Sequence, residues 1–349
     1  MSNLITSDLI AALRCRRLPL AALPTALEVA GRLPSGRRLL LKRDDLSGLG
    51  MGGNKARKLE MLCFDAVAQG ADLLLTVGAA QSNHARVTAA AGARLGIETH
   101  LVLGGHAGTV EGNQLLSTMF GATLHHADSD SWAELATMSL GLEQQFREAG
   151  RTPYLMPIGG STALGASAFV LAWDELLMQL AVRRDAVGSV VVSSSTGGTH
   201  AGMVAGRALL GGPAIIAIDV AKESSDLLAD TLRLAAETMV VVGSESRIDR
   251  SDVTVDDRFA GAGYAVPTPE ADAAMLGLAR SGGWVLDRVY TAKGFAGLLS
   301  LDDEGALPDG DVVFWHTGGQ PALFSHGGHP PLDRTPRVLT TDLNDLEKV

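Results

Sequence analysis

The chain has 349 residues, of which 46% are apolar and 19% charged, with a formal net charge of −10. That length fits about two domains, and the composition excludes a disordered chain. The acidic surplus argues against nucleic-acid binding, because no basic excess is present to neutralise phosphates, although it leaves room for a local cationic pocket.

From the N-terminus, Met1 to Arg17 carries its basic residues after its apolar stretch. That is the reverse of a secretory signal. No apolar run reads as reaching the about 20 residues that span a bilayer. The expected compartment is the cytoplasm, with no membrane partner. Cys15 and Cys63 have no local partner, which fits a reducing compartment, and both read as structural and not catalytic.

Short apolar runs then alternate with helical patterns. Leu39–Leu41, Leu73–Val77, Leu101–Leu103, Tyr154–Met156, Val190–Val192, Ile215–Ile218 and Val312–Trp315 predict strands covered on both faces. Ala56–Gln69, Asn83–Leu95, Trp132–Ala149, Ala166–Leu180, His200–Leu210, Glu270–Arg280 and Gly294–Leu299 predict helices. The alternation predicts mostly parallel sheets with helices on both sides. Gly104–Gly112 and Asp302–Asp311 read as mobile loops, and the tail Gly327–Val349 as a surface strap or a partly ordered segment. No fixed-period repeat and no linker divides the chain, so two domains are expected to be interleaved.

Four segments carry chemistry. In Met51-Gly-Gly-Asn-Lys-Ala-Arg-Lys-Leu-Glu60, Asn54 reads as an N-cap, which puts Lys55 in the first helical turn. The helix dipole there favours a neutral, nucleophilic amine. In Gly78-Ala-Ala-Gln-Ser-Asn-His-Ala85, a strand ends and a helix opens, so the turn either caps the helix through Ser82 or Asn83 or binds an anion. His84 reads as a packing residue and not as a base. Ser193-Ser-Ser-Thr-Gly-Gly-Thr-His-Ala-Gly202 follows a strand and has the composition of a phosphate cradle, without being a Walker loop. Trp315-His-Thr-Gly-Gly-Gln-Pro-Ala322 places Thr317 at the carboxyl end of a strand, where ligands of open α/β sheets bind. Tyr264 and Tyr290, two of only three tyrosines, could line a polar pocket. Taken singly, each segment also reads as an ordinary turn or cap.

Together these segments resemble the D-cysteine desulfhydrase and 1-aminocyclopropane-1-carboxylate deaminase family of fold-type-II pyridoxal-phosphate enzymes. The resemblance runs from about Leu41 to Phe324. It rests on Leu41-Lys-Arg-Asp-Asp45, Gly52-Gly-Asn-Lys-Ala-Arg-Lys-Leu-Glu60, Gln81-Ser-Asn-His84, Gly159-Gly-Ser161, Gly198-Thr-His-Ala-Gly202, Leu286-Asp287 with Tyr290, and His316-Thr-Gly-Gly319, in that order.

The resemblance implies two interleaved three-layer α/β domains with mostly parallel sheets, as in the tryptophan synthase β-subunit. The small domain is expected at 54–165 and the large one at 1–53 and 166–349. It implies a pyridoxal 5′-phosphate cofactor, a small amino-acid substrate and a homodimer. Lys55 resembles the Schiff-base lysine, and Asn83 the partner of the cofactor's phenolic oxygen. Ser195, Thr196, Gly197, Gly198 and Thr199 resemble the phosphate cradle, and Thr317 the partner of the pyridine nitrogen. Ser82, with the amides of Asn83 and His84, resembles the substrate-carboxylate site. Tyr264 and Tyr290 resemble the aromatic pair on the substrate side. Either Lys55 or Tyr290 then takes the α-proton, Tyr290 being alternatively the donor to a leaving thiol.

Tyr290-Thr-Ala-Lys293 and the retained Thr317 are similar to the desulfhydrase branch, which implies β-elimination from D-cysteine. Arg258 and Arg288 motivate an alternative, L-cysteate sulfo-lyase, with an anionic β-group. Cyclopropane opening is disfavoured, because Thr291 stands where a carboxylate is required. A non-enzymatic small-molecule binder using the same anion cradles is the remaining reading, and the setting of Lys55 argues against it.

Overall fold

The computed structural model describes residues 2–221, 226–332 and 335–340. Along the chain come α1 (Ser2–Arg14), β1 (Leu27–Arg32), β2 (Arg38–Arg43), α2 (Lys55–Ala68), β3 (Leu73–Gly78), α3 (Asn83–Leu95) and β4 (Glu98–Leu103). There follow α4 (Gly112–Met119), β5 (Thr123–His126), α5 (Trp132–Glu148), β6 (Pro153–Met156), α6 (Ala163–Arg183), β7 (Val187–Ser194) and α7 (Gly198–Leu210). The last are β8 (Ala214–Asp219), α8 (Leu227–Val242), β9 (Val255–Asp256), α9 (Pro269–Gly282), α10 (Thr291–Asp303) and β10 (Asp311–His316). All seven predicted strands and all seven predicted helices form. The elements α1, β1, α4, β5, α8 and β9 are additional.

One sheet has the order β1-β2-β10-β7-β8-β9, in which β1 alone runs antiparallel. The other, β5-β4-β3-β6, is wholly parallel. Its strands lie in sequence between β2 and β7, so the chain leaves the larger sheet, builds the smaller one and returns through α6. This is the expected interleaved α/β architecture.

The apolar runs have a direct physical cause. Leu40, Val190, Val192, Val313 and Trp315 pack against α6 and α7, whereas their neighbours Leu39, Leu41, Val191, Val312 and Phe314 pack against α9 and α10. A parallel sheet covered on both faces needs apolar residues at every position. Each fully buried side chain of this size contributes about 1.5–3 kcal/mol. In the smaller sheet, Leu74 lies under Leu59 and Leu62 of α2 and Val87 of α3, while Leu73, Leu75 and Val77 meet Leu135 of α5.

Helix α6 comes nearest to a membrane span, although Asp174 and Glu175 interrupt its apolar run. It is long and apolar enough to cross a membrane by length and composition. More than half of that stretch is buried inside the chain itself, with Phe169, Trp173 and Leu176 in the core between the large sheet, α7 and α8. Cys63 is buried and its thiol is pushed up to about 12 by that burial, whereas Cys15 is exposed. Part of the predicted strap is present: Leu339 is buried, and Thr340 pairs with Arg32 of β1. Residues 333–334 and 341–349 of that tail lie outside the described residues.

Candidate active site

The carboxyl ends of β3, β7 and β10 and the amino ends of α2, α3, α7 and α10 converge on one cleft. Lys55, Ser82, Asn83, His84, Ser195, Thr196, Gly197, Gly198, Thr199, Tyr264, Tyr290 and Thr317 all line it. Twelve residues spread over more than two hundred positions thus share one cleft, as strand-end turns of α/β sheets allow.

Lys55 is the first residue of α2, and its Nζ donates to the carbonyl of Gly159 at 3.3 Å. Burial pushes the amine down to about 8. Asn54 does not cap the helix as expected. It has helical backbone angles, and its Nδ2 instead donates to Thr199 Oγ1 at 2.9 Å. A tertiary partner across the cleft outcompetes the local cap and ties the Lys55 turn to the glycine-rich turn. The amide of Asn54 donates to the Thr317 carbonyl, which fixes the third strand end to the same point.

Ser82 is the N-cap of α3 and accepts from the Ala85 amide. The first-turn amides of Asn83 and His84 have no carbonyl four residues back, so they are available to an anion. Asn83 Oδ1 accepts from Asn113 Nδ2 at 3.0 Å, which orients it. The imidazole of His84 is buried, and neither ring nitrogen has a partner among the described residues. Burial, then Lys55 and Lys58, hold it well below its ordinary pKa, so it is neutral.

The turn Ser195–Gly197 leads from β7 into α7. Gly197 has φ +72°, open to glycine without strain. A Cβ at Gly198 would lie 2.6 Å from Lys58 Nζ and 2.6 Å from Ser161 Oγ, so only glycine fits beneath them. Lys58, one helical turn after Lys55, was not singled out from the sequence. It is fully buried, donating to the Gly159 carbonyl at 3.1 Å and Ser161 Oγ at 3.2 Å, and Ser161 Oγ meets Thr196 Oγ1 at 2.8 Å. Burial, then the neighbouring Lys55, holds its pKa well below the ordinary value.

Two enclosed amines thus share one carbonyl beside a cradle of amides and hydroxyls. Among the described residues no carboxylate pairs with either amine, which leaves burial free to depress both, and an anion bound beside them would favour their charged forms. The arrangement therefore fits a phosphorylated aldehyde: an amine for the carbonyl carbon, and for the phosphate a turn lined by amides and hydroxyls with a second amine behind it.

The opposite wall is aromatic. Tyr264 and Tyr290 hydroxyls lie 2.5 Å apart, their rings edge to face. Trp132, at the start of α5, also lines the cleft and meets Tyr264 edge to face at 5.8 Å. It was missed in the sequence, where it read only as the start of a helix.

Arg258 and Arg288 are not at the cleft. Arg258 is bound to Asp256 and Glu304 on the surface. Arg288 pairs with Asp272 and donates to the Gly327 and His329 carbonyls. Their charges are neutralised where they stand, which removes the motive for an anionic β-group. Thr291 is buried, with Oγ1 donating to Asp287 at 2.7 Å, and does not line the cleft either.

Comparison with known proteins agrees with this geometry. A D-cysteine desulfhydrase from Klebsiella pneumoniae (strain 342) is 38% identical over 328 residues, covering 90% of this chain and 98% of that protein. One from Salmonella typhi is 38% identical over 330 residues, with 90% and 98% covered. A crystal structure of an ACC deaminase homologue superposes with a TM-score of 0.83 at 33% identity, covering 91% of this chain and 97% of that one. A threonine deaminase from T.th., at 20% identity and a TM-score of 0.61 with 89% of this chain and 97% of that one covered, shares the fold. The profile of the pyridoxal-phosphate dependent enzymes matches residues 18–318, so the chain belongs to that family and uses pyridoxal phosphate.

Proposed function

We propose that this protein is a β-elimination lyase that converts D-cysteine and water to pyruvate, sulfide and ammonia. The observation that carries the reading is the pairing, across one cleft, of an amine depressed to about 8 with a phenol pair. The desulfhydrase relatives support the choice of substrate.

Bound pyridoxal phosphate supplies the electron sink that acidifies the carbon bearing the substrate amine. The residues supply the rest. Lys55 would hold the cofactor through its amine, and its Nζ would take the proton from the substrate's α-carbon. The Tyr290 phenol, hydrogen-bonded to Tyr264, donates a proton to the departing sulfur. Ser82 and the amides of Asn83 and His84 hold the substrate carboxylate. Asn83 would donate from Nδ2 to the cofactor's phenolic oxygen. Ser195, Thr196, Gly197, Gly198 and Thr199 would hold the phosphate, with Lys58 Nζ beside them, its ammonium form favoured by the phosphate's charge. Thr317 would meet the ring nitrogen with a hydroxyl and not a carboxylate, which would favour a neutral ring nitrogen. Residues 54–165 serve as the small domain of the pair that encloses the cleft.

The direct test is product release from both cysteine enantiomers. Sulfide and pyruvate in equal amounts from D-cysteine are expected. Sulfite from cysteate, ring opening of the cyclopropane amino acid, or no turnover of any β-substituted alanine would each displace the proposal.

Lys58→Met separates the phosphate role from general packing. A charged hydrogen bond is worth about 1.5–3 kcal/mol, so pyridoxal-phosphate affinity is expected to fall roughly ten- to a hundredfold. Pyridoxal, which lacks the phosphate, is expected to bind the variant and the parent equally. Titration of apo protein by absorbance measures both, and equal losses for the two aldehydes would remove Lys58 from the cradle.

We infer further that the protein is a cytoplasmic homodimer. Exposed Met51, Met119 and Phe324 support an apolar interface. Light scattering that gives a monomer mass would remove this part.

A further inference from the structure

Lys293 lies on α10, one turn after Tyr290, and its side chain is fully buried. Its Nζ donates to the carbonyls of Ala260 at 2.7 Å, Gly263 at 3.0 Å and Val220 at 3.2 Å. An ammonium has three donors, so all three are used, and each on main chain. Burial lowers its pKa, while the charges of Asp219 and Asp287 act to raise it.

The carbonyls belong to the elements that must be held together. Ala260 and Gly263 bracket the turn that ends in Tyr264, and Ala265 behind it takes φ +57°. Val220 follows β8. Three carbonyl dipoles aimed at one point repel each other unless a cation sits between them. The ammonium therefore closes the turn carrying Tyr264 onto the helix carrying Tyr290.

We propose that Lys293 is a positioning residue, an internal cation that sets the contact between the Tyr264 and Tyr290 hydroxyls and whose place a small free ammonium ion can take. The proposal rests on the reading of that phenol pair as the proton donor. A displacement of about 1 Å at a reacting group can cost about a hundredfold in rate.

The test is Lys293→Ala, as holoenzyme, with and without methylammonium, an ammonium that is not a reaction product. The variant is expected to take up cofactor normally and to lose about ten- to a hundredfold in kcat, with KM changed far less. Methylammonium is expected to restore kcat several-fold in the variant and not in the parent. Amide hydrogen exchange in residues 258–265 should speed up in the variant and slow again with the added ion. Parental kcat, or a loss that neither methylammonium nor potassium relieves, overturns the proposal.

If Lys293→Ala does not fold, Lys293→Gln decides. Parental kcat overturns the proposal, and a lower kcat with faster exchange in that turn sustains it. The exchange readout needs no substrate. A protein inactive on every β-substituted alanine would therefore sink the functional reading while still testing the lysine.

Discussion

Lys55→Ala is expected to lower turnover by at least about a thousandfold and to leave the cofactor removable by gel filtration. At about pH 7.5, an amine titrating at about 8 is neutral in roughly a quarter of molecules, against roughly one in a thousand for an ordinary lysine. Only the neutral form attacks an aldehyde. Lys58 stands one turn away but cannot replace it, because its Nζ is directed to Gly159 and Ser161 beside the phosphate turn. Reduction with borohydride followed by peptide mapping should label Lys55 in the parent and no residue in the variant. A variant that keeps turnover, or a label on Lys58, would reverse the two assignments.

How the fold was written in the sequence differs from element to element. The seven strands found as apolar runs are those whose alternate residues meet helices on opposite faces, such as Leu40 against α6 and Leu41 against α10. The antiparallel edge strand β1 (Leu-Glu-Val-Ala-Gly-Arg) has a register shift between Val29 and Gly31, and β5 is a short edge, so neither makes such a run. Helix α8 did carry a signal, an Asp226 cap at one end and a left-handed Gly243 at the other.

The site was legible where strand, polar turn and helix follow one another in sequence. That pattern puts Ser82, Thr196 and Thr317 at strand ends whatever the packing. Lys58 and Trp132 depend on partners far along the chain: Ser161 and Gly198 for the lysine, Tyr264 for the indole. Arg258 and Arg288 failed for the same reason in reverse. A charge read without its partners looks free, and Glu304 and Asp272 are what make these two unavailable.

Arg57→Met is expected to destabilise the fold by about 3–5 kcal/mol, measured by urea unfolding. Arg57 is on α2, two residues after Lys55, and is buried. Its guanidinium grips Asp44 beyond β2 at 2.8 Å and Glu175 on α6 at 2.8 Å. Asp44, itself fully buried, also accepts from Trp315 Nε1 of β10 at 2.8 Å, and Glu175 from Lys42 of β2. Without Arg57, one buried carboxylate is left with only neutral donors, and the helix that presents Lys55 loses its anchor to the large sheet.

The pH dependence of this network has a definite sign. Burial alone would raise the Glu175 carboxyl, but Arg57, then Lys42, outweigh it and bring it from 4.5 to about 2. A depressed acid stabilises the folded state fully above its unfolded value and loses that contribution as pH falls through its folded one. In the parent the loss therefore runs from about 4.5 down to about 2. Removing Arg57 should move acid unfolding to higher pH. Arg57→Lys keeps the charge and loses the two-sided fork, so it should fall between the two. If Arg57→Met costs less than about 1 kcal/mol, the value of an exposed pair, the anchoring of α2 must come from its apolar face against Leu74 and not from this network.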